Sequence, residues 1–395
     1  MISPKWVSLF RDIQDEHKSS IGLSILRFIA LLASYIYRLY LYIYKIVFSL
    51  GFITFAEMRV PVISIGNLTL GGTGKTSSVE YFADYISRKL HLRVCIITRG
   101  YGAPNIDAYS DIVQVVESDG QGINKDWRDV GDEPYLLAAK LVRVPVVVSR
   151  DKIAACNYAI ERLGAQVIIL DDGFQSCYIK KTLEVVMISA EKPFGNKHLF
   201  PRGILREPID GLERAQIVLI LDNSGKQNIP LLREFLEQHF IFSYVSQARY
   251  KPLSISGLNV SLEADITMLR DAKVMAVCGL GSPHSFYQTL QDAGIALVKT
   301  LSYPDHYPYN EDDMQIINSA ARLARAEFII TTEKDALKMP VLKGPYVPIL
   351  VLHTAFEIDE PKNLYDILKK ILQSPPDPHS SEQKAGLGIP QEELF

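Results

Sequence analysis

The stretch Val62–Leu90, VISIGNLTLGGTGKTSSVEYFADYISRKL, decides the fold. An apolar run, VISIG, stops at Gly66-Asn67. A glycine-rich loop follows, and then apolar Val79, Phe82, Ala83 and Ile86 recur at helical spacing. The order is strand, loop, helix. The loop ends in Gly74-Lys75-Thr76 but departs from the phosphate-loop pattern G-x-x-x-x-G-K-S/T, because Thr69 stands where the first glycine belongs. Such a loop turns backbone N–H groups inward, so it needs residues that tolerate unusual dihedrals and carry little bulk. Gly71, Gly72 and Gly74 meet that need, with Thr73 between them, and the following helix presents its positive end to an anion. Lys75 is placed to reach the β and γ phosphates, and Thr76 to hold Mg²⁺. A structural turn ending in Lys-Thr is the plain alternative.

Outward from this loop, LRVCIIT, VPVVVS, QVIILDDG, LEVVMIS and AQIVLIL read as further strands, with helices at GDEPYLLAAKLV and KIAACNYAIERLG. Pro134 falls in the first turn of a helix, where proline is tolerated. The alternation predicts an α/β fold of the P-loop NTPase type, its mostly parallel sheet covered by helices on both faces. Around Asp222–Lys226 the texture changes. FIFSYVSQARYKPLSI, KVMAVCGLGSPHSFYQTLQDAG and AEFIITTEKDALK then suggest a smaller C-terminal α/β domain. The expected organisation is an N-terminal helix within 1–60, a P-loop domain at 61–223, the smaller domain at 224–373 and a tail at 374–395. The tail is rich in Pro, Ser, Gly and Glu and reads as disordered.

The composition excludes several classes. A net charge of -3 over 395 residues argues against a general nucleic-acid binder. Cys95, Cys156, Cys177 and Cys278 are scattered, which fits a reducing compartment better than a disulfide framework or a zinc site.

From Ser19 to Ala56 there is no acidic residue, and the basic ones are Arg27, Arg38 and Lys45. On a helix these three fall within roughly 20° of one another, and Ser24, Ser34 and Ser49 extend the same narrow stripe. The rest of the surface is apolar and aromatic. A helix lying in the membrane interface suits this pattern best. A spanning helix would leave Arg38 and Lys45 at awkward depth, and a cleavage site for a signal peptide is lacking. A helix buried under the rest of the protein is the remaining reading. Membrane contact is expected on the side that holds ATP.

A phosphate loop needs a second Mg²⁺ anchor, usually an acid at a strand end, and LDDGFQ supplies Asp171 and Asp172. Asp132 and Glu133 of GDEP are candidates for a base and its neighbour, though taken alone they read more readily as acidic helix capping. His306 lies in a polar loop where a surface histidine is ordinary. KPFGNKHLFPRGILREP carries Lys197, His198, Arg202 and Arg206 among glycines and prolines, which suits an anion-facing loop or a solvated one.

In order along the chain, GNLTLGGTGKT, TRGYG, GDEP, LDDGFQ, PFGNKHLFPRGILREP, YPDHY and TTEKDALK resemble the motifs of the tetraacyldisaccharide 4'-kinases, the lipid A kinases. The resemblance runs from about Val60 to Leu372, and Thr69 belongs to that family's own loop. It implies MgATP-dependent phosphorylation of the 4'-hydroxyl of a disaccharide lipid at the cytoplasmic face of the bacterial inner membrane. It also implies a P-loop kinase core and a smaller domain with ATP between them. By resemblance Asp132 is the catalytic base, His306 its partner, and Lys75 and Arg206 stabilise the transferring phosphoryl group. Thr76, Glu133, Asp171 and Asp172 form the Mg²⁺ and phosphate-organising set, with Gln175 as a supporting polar group. Arg202 stands where many relatives have a small residue, and the tail lies beyond the resemblance. No protein partner is implied.

The rival reading is a membrane-associated regulatory ATPase of the partitioning type, whose loop runs K-G-G-x-G-K-S/T. Leu70 replaces its signature lysine here, which counts against it. TTEKDALK faintly resembles the guanine-reading N/T-K-x-D motif with its lysine out of register, so it reads as a strand end and helix start, and ATP is preferred to GTP.

Overall fold

The sheet is built from β1 (Val62–Asn67), β2 (Val94–Thr98), β3 (Gln114–Val116), β4 (Val146–Val148), β5 (Val167–Asp171), β6 (Leu183–Ser189), β7 (Ile217–Leu221), β8 (Tyr244–Gly257), β9 (Glu263–Ala264), β10 (Val274–Cys278), β11 (Leu297–Ser302), β12 (Phe328–Thr332) and β13 (Ile349–Ile358). These come from a computed structural model that describes residues 9–10, 12–14, 20–52, 54–100, 113–222, 229–341 and 346–373. The tail at 374–395, residues 223–228 at the change of texture, and Tyr101-Gly102 of TRGYG lie outside the described residues.

β1 is buried at all six positions because it pairs in parallel on both edges, with β5 and with β6. A strand covered on both faces reads as a continuous apolar run, as VISIG does. The strand order is β11-β10-β12-β13-β8-β7-β6-β1-β5-β2-β4-β3, with β9 pairing to the end of β8. From β4 to β8 every pairing is parallel, and β3 closes that edge antiparallel. β8 is the joint. Its first residues, Tyr244–Ala248, run parallel to β7, and Ala248–Gly257 run antiparallel to β13. Beyond β13 the strands β12, β10 and β11 are again mutually parallel. One sheet therefore runs continuously across the 223/224 position.

Helices cover it as the apolar spacing requires. Val79, Phe82, Ala83 and Ile86 of the helix Lys75–Lys89 are buried. Ala155, Cys156 and Ala159 of the helix Lys152–Glu161 pack with Val62, Cys95, Ile97 and Ile168. Met1–Asp359 forms one compact unit and Glu360–Phe395 a second. The described part of the second is the helix Lys362–Gln373, where Leu364, Ile367, Leu368 and Ile371 recur at amphipathic spacing.

The N-terminal segment is one 29-residue helix, Ile21–Ser49, with Ser20 as its N-cap. It is long and apolar enough to cross a membrane. The polar stripe divides: Arg38 and Lys45 stay exposed, and the inner part of the stripe meets the protein. Arg27 and Ser34 turn toward the protein, Arg27 donating to the carbonyls of Asp12 and Ile13 at 3.1 and 3.3 Å. The apolar side is left open.

Gly66 shows how closely the elements approach. A Cβ there would lie 2.5 Å from Phe174 Cβ and 2.8 Å from Phe174 N, so the turn after β5 packs directly onto the end of β1. Gly66→Ala is therefore expected to cost about 1–3 kcal/mol of stability by overpacking, measurable as a lower midpoint in urea. An unchanged midpoint would show that the Phe174 turn yields without cost.

Candidate active site

The loop after β1 opens on one side only. Cβ atoms added at Gly71 or Gly72 would meet nothing within 4 Å, whereas one at Gly74 would lie 2.9 Å from Leu221 and 3.1 Å from the Tyr250 hydroxyl. Gly71 and Gly74 hold φ of 115° and 77°, a region that favours glycine. Thr69 needs no such freedom. It sits in an antiparallel bridge with Leu205, flanked by Arg206 N–H donating to Leu68 at 2.7 Å and Leu70 N–H donating to Ile204 at 2.8 Å. The missing glycine is thus replaced by an extended segment paired with the PRGILREP loop. Asn67 braces the turn from within: its Nδ2 donates to Thr73 Oγ1 at 2.7 Å.

Asp172 gathers the cations. It leaves β5 with φ of 49°, uncommon for a residue with a side chain and frequent at functional sites. Lys75 Nζ lies 3.0 Å from its Oδ1, and Arg206 grips both oxygens at 2.6 and 3.1 Å. Asn67 Oδ1 accepts from the same two side chains, at 3.1 Å from Lys75 and 3.2 Å from Arg206. Burial would raise the Asp172 carboxyl, but Lys75 and Arg206 outweigh it and hold the group well below the usual carboxylate range.

Asp171 behaves differently. Burial, with the charges of Glu133 and Asp172, pushes it up to about 6 against the pull of Lys75 and Lys152. Its Oδ2 accepts from Thr98 at 3.0 Å. Three carboxylates therefore act on one buried spot at the end of the sheet, balanced by Lys75, Arg206 and Lys152. Among the described residues no group of three or more His, Cys, Asp or Glu side chains is arranged to hold a metal alone. That suits Mg²⁺, which keeps several waters and binds through one or two carboxylates plus substrate phosphates.

Asp132 is the first residue of the helix Asp132–Lys140, but its carboxylate does not simply cap it. The backbone enters through Gly131 at φ 98°, which turns the side chain inward until it is 2% exposed. His306 Nδ1 lies 3.0 Å from both carboxylate oxygens, so Nδ1 carries the proton it donates, and Lys338 Nζ donates to Oδ2 at 3.1 Å. Burial would raise this carboxyl as well; the His306 hydrogen bond and the charges of Lys334, His306 and Lys338 hold it below the usual range. His306 is itself at φ 57°. Its turn borders the phosphate loop: a Cβ on Gly281 would lie 3.4 Å from Asp305 Oδ2 and 3.7 Å from Gly72 N.

The residues singled out from sequence thus converge, with differences of detail. Gln175 Nε2 donates to the Asn67 carbonyl and to Glu207 Oε1, both at 2.9 Å, and its buried Oε1 has no hydrogen-bond partner. Thr76 lies in the first turn after the loop. Arg206 enters the site from the basic loop, whereas Arg202 Nη1 donates to the Ile13 carbonyl at 3.1 Å. Asn67 and Lys152 were not singled out. The Lys152 ammonium donates to the carbonyls of Asp171 and Asp172 at 2.9 and 2.8 Å, and burial brings it down to about 8 despite those acids.

TTEKDALK contributes most of what was missed. It is indeed a strand end and a short helix, Glu333–Ala336, and Asp335 is spent on Gly279 N, Tyr309 and Thr332 rather than on a base. Lys334 reaches Glu133 at 3.0 Å, Asp305 at 3.1 Å and His306 Nε2 at 3.4 Å. The pattern E-K-D-x-x-K, with two lysines four positions apart at a strand end and helix start, is the available signal.

The sequence model of the tetraacyldisaccharide-1-P 4'-kinase family matches residues 26–373. The tetraacyldisaccharide 4'-kinase of Halothermothrix orenii is 36% identical over 325 residues, covering 80% of this chain and 83% of the relative. That of Desulfatibacillum aliphaticivorans is 31% identical, covering 93% and 97%. The crystal structure of LpxK from Aquifex aeolicus in complex with ATP superposes with a TM-score of 0.66 at 28% identity, covering 88% of this chain and 99% of that one. With the phosphate loop, its acids and the Asp132–His306 pair in one place, the chain belongs to the tetraacyldisaccharide-1-P 4'-kinase family.

Proposed function

We propose that the chain transfers the γ-phosphate of ATP to the 4'-hydroxyl of a tetraacyldisaccharide 1-phosphate lipid, the lipid A precursor. The observation that carries this reading is the pairing of a buried Asp132–His306 couple with a cation-lined phosphate loop whose neighbouring acids include Glu133. Residues 61–223 then form the kinase core and 224–373 the smaller domain that supplies His306.

Phosphoryl transfer asks mainly for alignment and charge neutralisation. Lys75 and Arg206 already converge on the Asp172 carboxylate, which stands where oxygens of a triphosphate can compete for them. Gly71 to Thr76 present the loop and the helix N-terminus to the phosphates. Thr76, Glu133, Asp171 and Asp172 would hold Mg²⁺, which when bound would supply charge neutralisation for the phosphates. Asp132 receives the proton of the sugar hydroxyl. Its three donors, His306, Lys338 and the Glu133 N–H, make it a weak base. A weak base suffices where the proton leaves late, and the ring of donors fixes its direction. The open apolar side of the helix Ile21–Ser49 supports seating as a monotopic element on the cytoplasmic face of the inner membrane, where ATP and a lipid acceptor meet.

Asp132→Ala is expected to bind ATP within a few-fold of the parent while kcat falls by roughly 100-fold or more, read by calorimetry and steady-state kinetics. Turnover within a few-fold would remove Asp132 as the base. Lys338→Met leaves a buried carboxylate short of a partner and is expected to cost about 3 kcal/mol in chemical denaturation. Adding Asp132→Asn should return part of that loss. Equal stability of Lys338→Met and the parent would show that the pair is not coupled.

A further inference from the structure

The helix Ile21–Ser49 leaves much apolar surface open and keeps several polar groups covered. Its open side carries Phe28, Tyr35, Ile36 and Leu39, each more than half exposed, beside Arg38 and Lys45, and its covered side carries the hydrogen-bonding Ser34 and Tyr37 with Ala30 and Leu41. Ser34, only 5% exposed, has its Oγ 2.8 Å from the Leu199 carbonyl and accepts the Arg202 N–H at 3.0 Å. One turn on, the Tyr37 hydroxyl donates to the carbonyl of Arg206 at 2.8 Å. A buried polar contact of this kind is costly to leave unmade, so the helix is keyed to the loop rather than merely resting on it.

The same loop faces the nucleotide site. Arg206 N–H donates to the Leu68 carbonyl at 2.7 Å, so both backbone polar groups of Arg206 are occupied, one by the approach to the phosphate loop and one by the helix. Its guanidinium is then delivered to Asp172 and Asn67. Tyr37 and Leu41 pack against the cluster that holds Leu68, Leu199 and Leu205, which leaves the segment little room to shift alone.

We propose that Tyr37 is a positioning residue for phosphoryl transfer: through the Arg206 carbonyl, the helix that meets the lipid surface also sets the guanidinium in the phosphate site. This deepens the kinase reading above and rests on the assignment of Arg206 as a stabiliser of the transferring group. A helix seated on the bilayer and a completed site are then one arrangement, because the elements that achieve them share a hydrogen bond.

The test is a double-mutant cycle on the full chain, assayed with ATP and tetraacyldisaccharide 1-phosphate in mixed micelles. Tyr37→Phe is expected to lower kcat by roughly 3- to 10-fold, the loss of about one hydrogen bond, with KM for ATP and lipid within about twofold of the parent. In an Arg206→Ala background the same change should add less than about a twofold loss, because the guanidinium that the bond positions is gone although the carbonyl remains. A raised lipid KM at unchanged kcat would overturn the proposal and leave the helix a lipid anchor alone. So would an equal loss of kcat with and without Arg206. Full turnover of Arg206→Ala by itself would instead overturn the assignment of Arg206.

Discussion

One carboxylate organises the nucleotide end of this molecule. Asp172, leaving β5 in a left-handed turn, ties Lys75 at the start of a helix to Arg206 in a loop more than thirty residues further along the chain. With Asn67 accepting from the same two cations, three separate segments are fixed to the end of β1. Without an anion between them, two positive side chains at this distance would repel. The acid therefore holds together the two cations proposed to bind phosphate, and Lys152 donates to its backbone carbonyl.

The acceptor end follows the opposite logic. Asp132 is buried, and a lone buried carboxylate would take up a proton rather than remain charged. Three donors from three parts of the chain prevent that. Lys334 adds a second tier by joining Glu133, Asp305 and His306, so the helix after β12 locks the YPDHY turn against GDEP. The cost of burying this many charges is met by mutual pairing, which is why they sit in one lattice rather than singly.

The strand-loop-helix of Val62–Leu90, the parallel strands around it and the acids of LDDGFQ were legible because each is a local pattern of apolar spacing or motif. β8 was not legible as one strand. Its 14 residues serve two partners with opposite directions, and no local signal marks that change. Lys338 lies 206 positions from Asp132 in sequence, so only the folded sheet shows that they meet. The helical wheel showed the polar stripe of the N-terminal helix. It could not show which side the protein covers, because Ser34 and Tyr37 find their acceptors in a distant loop. Thr69 lay between these cases: a flaw in the motif by sequence, an ordinary extended residue once Leu205 is seen opposite it.

In the proposed reaction a triphosphate held by the β1 loop passes one phosphoryl group directly to an alcohol facing Asp132. Incubating the purified full-length chain with γ-labelled ATP and tetraacyldisaccharide 1-phosphate in detergent tests it most directly. The expected result is label on the lipid in equal amount to the ADP formed, lost when Mg²⁺ is chelated. ADP accompanied by free labelled phosphate, with no label on the lipid, would contradict it and mark the chain as an ATPase.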